Sequence, residues 1–216
     1  MIKLKDYYGD VNVGFYGLAT DRYFISSFEE DFSEIFKVPA IKLSIAESEL
    51  VGLFSAGNSN GIVLPKIVEK GEVEKIKETG INVLILKEKF TAVGNLICVN
   101  DKGALVSDLI SKKSLKEISE CLCVEVVQTK IANIRLVGSV CFTTNRGTLI
   151  HRDANEEEID LVRSVLKTEI ERSSINFGSP FVKSGIIANS HGALIGSKTS
   201  GHELDIILRT LKLSVK

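Results

Sequence analysis

One motif recurs along the whole chain and limits how it can fold: two apolar runs on either side of a short polar turn. Its clearest copy spans residues 91–107, where Asn100, Asp101, Lys102 and Gly103 separate the two runs. The pattern predicts two strands joined by a tight turn, because Asn and Asp side chains can bond the backbone of the turn. We expect Gly103 to adopt a positive φ there, which a residue with a Cβ would avoid.

The same motif returns at a nearly constant spacing. The turn residues Gly61, Gly103, Gly147 and Gly192, with Tyr23 in a degraded first copy, lie 38 to 45 residues apart. A period in this range indicates a repeat architecture. We expect a single domain covering residues 1–216, with repeats at about 11–48, 49–90, 91–134, 135–175 and 176–216.

A segment with helical periodicity follows each hairpin. In the third unit Ile118 and Leu122 share one face, and the other units show the same spacing. Capping-box patterns begin at Ser114, Asn155 and Ser200, whereas the second helix has no such pattern. A further apolar strand follows the first four helices, so each unit should consist of a hairpin, a helix and a strand.

Units of this kind cannot bury their apolar faces alone. Five of them would do so most economically by closing into a ring, because an open array leaves unpaired ends. Either terminal segment, 1–10 or 211–216, could complete the fifth unit, and we expect the segment 1–10 to close the ring. An open solenoid is the alternative.

Composition and charge bear on partners and location. The chain has 27 Lys and Arg against 28 Asp and Glu, so no overall positive field draws it to nucleic acid or membranes. No apolar run approaches the roughly 18 residues that indicate a membrane span, and the first ten residues lack the apolar core of a signal peptide. We therefore expect a cytoplasmic protein without membrane attachment.

No residue pattern indicates a cofactor or a metal. Cys98, Cys121, Cys123 and Cys141 form no CxxC pair, and we expect buried, structural thiols. The three histidines lie in different units, which disfavours a metal site. Neither GxGxxG nor a P-loop motif occurs, so we expect no cofactor and no catalytic residue.

Residues 57–65, 91–107 and 188–196 resemble the motifs of the archaeal and eukaryotic translation initiation factor six family, in order and in register with the repeats. The resemblance implies an α/β pentein fold, a five-bladed propeller with pseudo-fivefold symmetry. The absence of the long tail of eukaryotic members suggests the archaeal type. Lys183, where other repeats have Gly, and His202, where the family usually has Pro, depart from the pattern.

The resemblance also implies a function. A member of this family would act in translation initiation or ribosome biogenesis by binding the large ribosomal subunit and preventing its association with the small subunit. Its partners would be a ribosomal protein and neighbouring rRNA on the joining face, and the protein would be a monomer. Such a factor needs a binding surface and no catalytic group.

We expect the hairpin turns to form that surface, because a ring displays them together on one rim. The alternative interpretation is that Asn and Gly recur there for turn geometry alone. The candidate partner-binding residues are Asn58, Asn60, Asn100, Asp101, Lys102, Asn145, Arg146, Asn189 and His191.

An enzymatic function is the alternative to a binding factor. Penteins include guanidine-modifying hydrolases and transferases that use a Cys nucleophile placed late in the chain. The last cysteine here is Cys141, which lies in an apolar run. Because a reactive thiolate needs a positive and partly exposed setting, this position disfavours the enzyme.

Overall fold

A computed structural model describes residues 1–214 as five small sheets arranged in a ring. In each sheet the middle strand is antiparallel to the inner strand and parallel to the outer strand. Residues from all five inner strands line a narrow central cavity. The chain is therefore a five-bladed α/β propeller of the pentein type, and the predicted fold class is confirmed.

The blades follow one another along the chain. The strands are, in order, β1 (Ile2–Lys5), β2 (Gly17–Ala19), β3 (Phe24–Ser26), β4 (Ala40–Lys42), β5 (Ala56–Gly57), β6 (Gly61–Pro65), β7 (Asn82–Leu86), β8 (Ile97–Val99), β9 (Gly103–Ser107), β10 (Glu125–Thr129), β11 (Cys141–Thr143), β12 (Gly147–His151), β13 (Glu169–Ser173), β14 (Ile186–Ala188) and β15 (Ala193–Gly196). The sheets are β2-β3-β4, β5-β6-β7, β8-β9-β10, β11-β12-β13 and β14-β15-β1.

Two kinds of helical element accompany the sheets of residues 1–214. A helix follows the middle strand of each blade: α1 (Ser33–Phe36), α2 (Lys70–Lys77), α3 (Lys112–Leu122), α4 (Glu156–Leu166) and α5 (Gly201–Thr210). A single helical turn precedes each inner strand: Val13–Phe15, Val51–Phe54, Val93–Leu96, Val137–Val140 and Val182–Gly185.

The sequence predicted that the whole first half of the motif is a strand. The structure instead has a helical turn followed by a short strand. Val93, Leu96 and Ile97 are all buried, and the first two belong to the helical turn, while the strand begins only at Ile97. Their spacing of i, i+3 and i+4 suits one turn of helix as well as an apolar strand. Apolar content alone therefore did not identify the element.

The last blade is completed by the start of the chain. β1 pairs in parallel with β15, with Ile2 opposite Ala193 and Lys5 opposite Gly196. The backbone amide of Ala193 also donates to the carbonyl of Met1 at 3.1 Å. Val215 and Lys216, at the end of the other terminal segment, lie outside the described residues.

The capping predictions were right for two helices and wrong for two. Asn155 and Ser200 cap α4 and α5, each within a capping box. Helix α3 begins one turn earlier than predicted, with Ser111 as its N-cap. Helix α2 does have a capping box, between Glu69 and Glu72, which a search for Ser, Thr or Asn at the N-cap misses.

The apolar core is divided among neighbouring blades. One cluster joins Ala56 and Val63 of the second blade to Ile97 and Ile118 of the third, and the other clusters repeat this arrangement. Separating two blades would therefore expose apolar surface on both. Within residues 1–214, no helix combines the length and apolar character that a membrane span requires.

Candidate partner-binding surfaces

The ring has two different ends, because every inner strand runs from a helical turn to a hairpin turn. We call these the hairpin end, formed by the turns at residues 20–23, 58–61, 100–103, 144–147 and 189–192, and the helical-turn end. The sequence predicted a binding surface at the hairpin end.

Asn100 shows what the hairpin turns do. Its side-chain oxygen accepts from the backbone amides of Lys102, at 2.9 Å, and Gly103, at 3.1 Å. Its Nδ2 donates to the carbonyl oxygen of Leu166, at the end of α4 in the next blade, at 3.0 Å, and to that of Thr144, at 3.2 Å. The side chain shapes its own turn and also fastens that turn to the next blade.

Two other turns repeat this arrangement. Asn58 donates to the carbonyl of Leu122 at 2.9 Å, and Asn189 donates to that of Phe36 at 2.8 Å. Asn58, Asn100 and Asn189 are only 2%, 4% and 2% exposed. Their polar atoms are buried between blades and already bonded, so the structure gives these three side chains a role within the ring. That they contact a partner stays a prediction.

Asp101 and Asn145 belong to a polar network near the axis. The Asn145 Nδ2 donates to Asp101 at 2.6 Å and to Asp21 at 2.7 Å. Ser59 donates to Asp101, and Ser190 to Asp21, each through its amide and its hydroxyl. Burial opposes ionisation of Asp21, but the hydrogen bonds from Ser190 and Asn145 outweigh it and lower the pKa of its carboxyl group.

Three turn residues bind the ends of neighbouring helices. Asn60 Nδ2 donates to the Leu122 carbonyl at 3.1 Å, and Lys102 Nζ donates to the Lys167 carbonyl at 3.2 Å. In the same way Arg146 Nη1 donates to the carbonyl of Lys212, just after α5, at 3.2 Å. N–H donors at these positions interact favourably with the partial negative charge of a helix C-terminus. Lys102, Arg146 and His191 are exposed, so a partner could still contact them.

The turn glycines serve close approach between blades. Gly103 does not adopt the positive φ that the sequence predicted; among the glycines of the described residues, only Gly9, Gly80 and Gly178 have a positive φ. A Cβ at Gly103 would overlap the carbonyl oxygen of Val165 in the next blade. The hairpin end is therefore primarily the place where the blades are joined.

The helical-turn end carries exposed apolar side chains that the sequence interpretation missed. Tyr8 is 85% and Phe177 83% exposed, and Phe181 and Leu136 are 43% and 36% exposed. Apolar side chains gathered on one surface mark interaction sites more often than scattered ones do. The sequence did hold a signal, since Tyr8 and Phe177 each precede a glycine in a polar turn.

Phe177 is presented on a turn that is held in place. The backbone amides of Phe177 and Gly178 donate to the carboxylate of Glu203 at 3.1 and 2.8 Å, and Ser174 Oγ donates to it at 2.7 Å. Burial raises the pKa of Glu203, but these bonds and those from Ser200 outweigh it and lower that pKa. Phe177 itself has a φ of 64°, an uncommon conformation for an aromatic residue.

Tyr8 is supported in a comparable way. Its ring packs edge-on against Tyr7, with centroids 4.7 Å apart, and Tyr7 in turn packs against Phe28. Asn176, next to Phe177, donates to the carbonyl of Val11 at 2.9 Å and so links the two turns that carry the exposed aromatic residues. The two rings therefore sit on adjoining, mutually fastened turns.

A depression lies on the axis at this end. Its volume is about 260 Å³, and its walls combine apolar Phe15, Leu136 and Phe181 with polar Asn95 and Ser139. Lys183 also lines it. A concave surface of mixed character beside exposed aromatic residues suits a protein partner.

Two of the buried thiols, Cys121 and Cys141, are poorly suited to act as nucleophiles. The pKa of the Cys141 thiol lies well above the ordinary value, because the thiol is hydrogen-bonded to Cys98 and is buried. Burial raises the pKa of Cys121 to about 11. Neither residue would be a thiolate near neutral pH. Among residues 1–214, no three His, Cys, Asp or Glu side chains converge in a way that could hold a metal ion.

Comparison with known proteins identifies the family. The sequence pattern of the eIF-6 family matches residues 2–210. The chain belongs to the eIF-6 family. The translation initiation factor 6 of Pyrococcus horikoshii is 37% identical over 215 residues, which cover 94% of this chain and 95% of that protein.

Other archaeal relatives give the same result. The translation initiation factor 6 of Thermococcus onnurineus is 39% identical, covering 94% of both chains, and that of Pyrococcus abyssi is 38% identical, covering 98% of this chain and 99% of its own. The resemblance seen in the repeats is thereby confirmed, and this eIF-6 family member is of the archaeal type. The matches support a role as a translation initiation factor.

Proposed function

We propose that this eIF-6 family member binds the large ribosomal subunit and prevents its premature association with the small subunit. The interaction would be made with a ribosomal protein and neighbouring rRNA on the joining face. The protein would act as a cytoplasmic monomer, by occupying space and without catalysing a reaction. Family membership supports the translational role, and the surface chemistry of the ring supports the mode of binding.

The observation that carries the proposal is the pair of exposed aromatic side chains on fixed turns. Aromatic residues contribute a large part of the binding energy in protein interfaces. The turns that carry Tyr8 and Phe177 are fastened by Glu203 and Asn176 before any partner arrives. Little backbone entropy is then lost on binding, which strengthens the interaction.

A rigid ring also suits steric blocking. Its blades share apolar clusters and are joined at the hairpin end by buried hydrogen bonds. A body that does not deform can exclude a second subunit simply by standing in its path. The proposal therefore assigns the two ends different tasks: the hairpin end joins the blades, and the helical-turn end binds the large subunit.

A second candidate surface is the exposed part of the hairpin end. Lys102, Arg146 and His191 could contact rRNA, with Asn60, Asp101 and Asn145 beside them. The chain has no net positive charge to support a long-range attraction, and two of the three exposed side chains already bind helix carbonyls. For this reason we favour the helical-turn end.

The enzymatic alternative has little support in the geometry. A guanidine-modifying pentein needs a reactive Cys, and Cys98, Cys121 and Cys141 are buried. Cys123 is exposed just after α3, two residues from the buried Cys121. Incubating the protein with guanidino compounds and following product formation tests this alternative directly.

The proposed function is tested by sedimentation with separated ribosomal subunits. We expect the protein to sediment with large subunits and not with small subunits. Adding it before mixing the subunits should lower the fraction of joined ribosomes. Equal binding to both subunits, or unchanged joining at saturating protein, would contradict the proposal.

A further inference from the structure

The helical turns pack closely around the axis. A Cβ at Gly94 would overlap the carbonyl oxygen of Gly52, and a Cβ at Gly138 would overlap that of Gly94. Glycine is therefore required at residues 94 and 138, where each turn rests on the carbonyl of the previous one. The result is a narrow collar of main chain at the helical-turn end of the axis.

Lys183 occupies the position in the fifth turn that Gly occupies in the other four. Its side chain extends across the axis, and its Nζ lies 3.0 Å from the carbonyl oxygen of Gly52 and 2.6 Å from that of Gly94. The lysine belongs to the fifth blade, whereas these oxygens belong to the turns that open the second and third. One ammonium group thus connects three blades.

Within residues 1–214, no carboxylate lines the cavities beside this ammonium group. Lys183 adjoins two cavities, of about 50 and 260 Å³, and no Asp or Glu of the described residues lines either one. The titratable groups facing it are the thiols of Cys98 and Cys141. Its charge is therefore met by carbonyl dipoles, and burial lowers the pKa of Lys183 to about 8.

These observations describe a site for a cation rather than an ion pair. Two carbonyl oxygens at hydrogen-bonding distance suit a donor of N–H bonds. They are too few for Ca²⁺, which takes six to eight oxygen ligands. The larger cavity reaches the collar from the helical-turn end, so a small ion could enter if the lysine side chain were absent.

We propose that the axis of the ring is a binding site for a small primary ammonium ion, and that the chain fills this site with its own Lys183. The interaction fastens the fifth blade to the second and third across the centre of the ring. Removing the side chain while keeping the backbone should empty the site. Ammonium or methylammonium in solution should then occupy it and restore stability.

The test is chemical rescue of Lys183→Ala, followed by thermal unfolding at constant ionic strength. We expect the variant to melt several degrees below the wild type in sodium chloride. Replacing sodium with ammonium or methylammonium should recover a large part of that loss, while tetramethylammonium, which has no N–H donor, should not. The wild type should show no difference among these salts.

Lys183→Met is the matched control, because its side chain fills the space without a charge and should not respond to ammonium. Recovery of Lys183→Ala in tetramethylammonium to the same extent as in ammonium, or a variant as stable as the wild type in sodium chloride, would overturn the proposal. If Lys183→Ala does not fold, ¹⁵N-lysine NMR of the wild type decides. We expect one ammonium signal that exchanges slowly with water, and none would argue against the site.

Discussion

Asn100 has two tasks that its position in the sequence only half reveals. Its oxygen shapes a turn between adjacent strands, and its nitrogen reaches the Leu166 carbonyl in another blade. In the first and fourth turns, Thr20 and Thr144 accept the turn amides through their hydroxyl oxygens instead. The local role is therefore shared by all the turns, and the contact with the next helix through Nδ2 is special to the Asn turns.

Asn100→Ala should destabilise the protein by about 1–3 kcal/mol, because it leaves buried amides and carbonyls without partners. Asn100→Thr should cost less, since the hydroxyl can still accept the two turn amides. Asn60→Ala serves as a control, as Asn60 is partly exposed and makes one side-chain bond to Leu122. Urea denaturation measures all three, and equal losses would contradict this division of roles.

The thiols allow a simple test of burial. Cys98, Cys121 and Cys141 are buried and Cys123 is exposed. In the native protein we expect a thiol reagent such as DTNB to modify Cys123 rapidly and the other three only after denaturation. Mass spectrometry of the labelled peptides would identify the sites, and fast labelling of Cys141 would reopen the question of a reactive cysteine.

Residue identities could be predicted in part. The turn Asn and Gly residues were recognised from the repeat, but the carbonyls of Leu166 and Val165, which Asn100 and Gly103 contact, lie more than 60 residues away and in another blade. No local pattern states which carbonyl a side chain will reach. This is why the sequence indicated a binding surface at the turns but not their contacts between blades.

At the scale of elements, the parallel pairing of β1 with β15 makes a directional prediction. The carbonyl oxygen of Met1 accepts from the amide of Ala193. Because backbone groups alternate in direction along a strand, the amides and carbonyls of Lys3 and Lys5 also point toward β15, whereas those of Leu4 point away from it. Lys3→Pro should therefore remove a ladder bond and cost on the order of 3 kcal/mol. Leu4→Pro should cost clearly less.

Lys3→Ala is the control for the Lys3 side chain, which pairs with Glu30 at 3.3 Å. Thermal unfolding of the three variants gives the comparison. If Lys3→Pro and Lys3→Ala melt at the same temperature, β1 does not contribute to closing the ring. If Leu4→Pro is the more damaging proline, the assigned register is wrong.

The hydrogen bonds from Ser174, Phe177 and Gly178 to the Glu203 carboxylate of α5 should contribute less to stability in acid. The pKa of Glu203 in the folded protein lies below its ordinary value of 4.5, so its carboxylate stabilises the fold above that pH. This contribution is lost as the pH falls through the lower pKa. Glu203→Gln should therefore be less stable than the wild type at neutral pH, and the difference should shrink below about pH 4.5. A constant difference across that range would contradict the assignment.

The elements themselves were largely predictable. Periodicity located the helices that contain Ile118 and Val162, and both residues are fully buried. The helical turns before the inner strands were missed, because a four-residue apolar run fits either a strand or one turn of helix. In the folded protein these turns pack against one another around the axis, so their contacts come from distant parts of the chain.

At the scale of the whole molecule, the repeat was enough to predict a ring, since five similar units bury their apolar faces by closing on one another. The different roles proposed for the hairpin end and the helical-turn end were not predictable in the same way. Exposure of Tyr8 and Phe177 follows from where their turns lie in the ring, and no spacing in the sequence encodes that location. The structure thus moved the favoured binding surface from the hairpin end to the helical-turn end.

The most direct test of this assignment compares two sets of variants in binding to purified large subunits. Tyr8→Ala combined with Phe177→Ala removes the exposed rings, and Lys102→Ala combined with Arg146→Ala removes exposed charges at the hairpin end. Both pairs should stay folded by circular dichroism, because all four side chains are largely exposed. We expect the aromatic pair to bind at least about tenfold more weakly, equivalent to roughly 1.4 kcal/mol, and the charged pair to bind like the wild type. Wild-type affinity in the aromatic pair, together with loss of binding in the charged pair, would place the interface at the hairpin end and contradict the proposal.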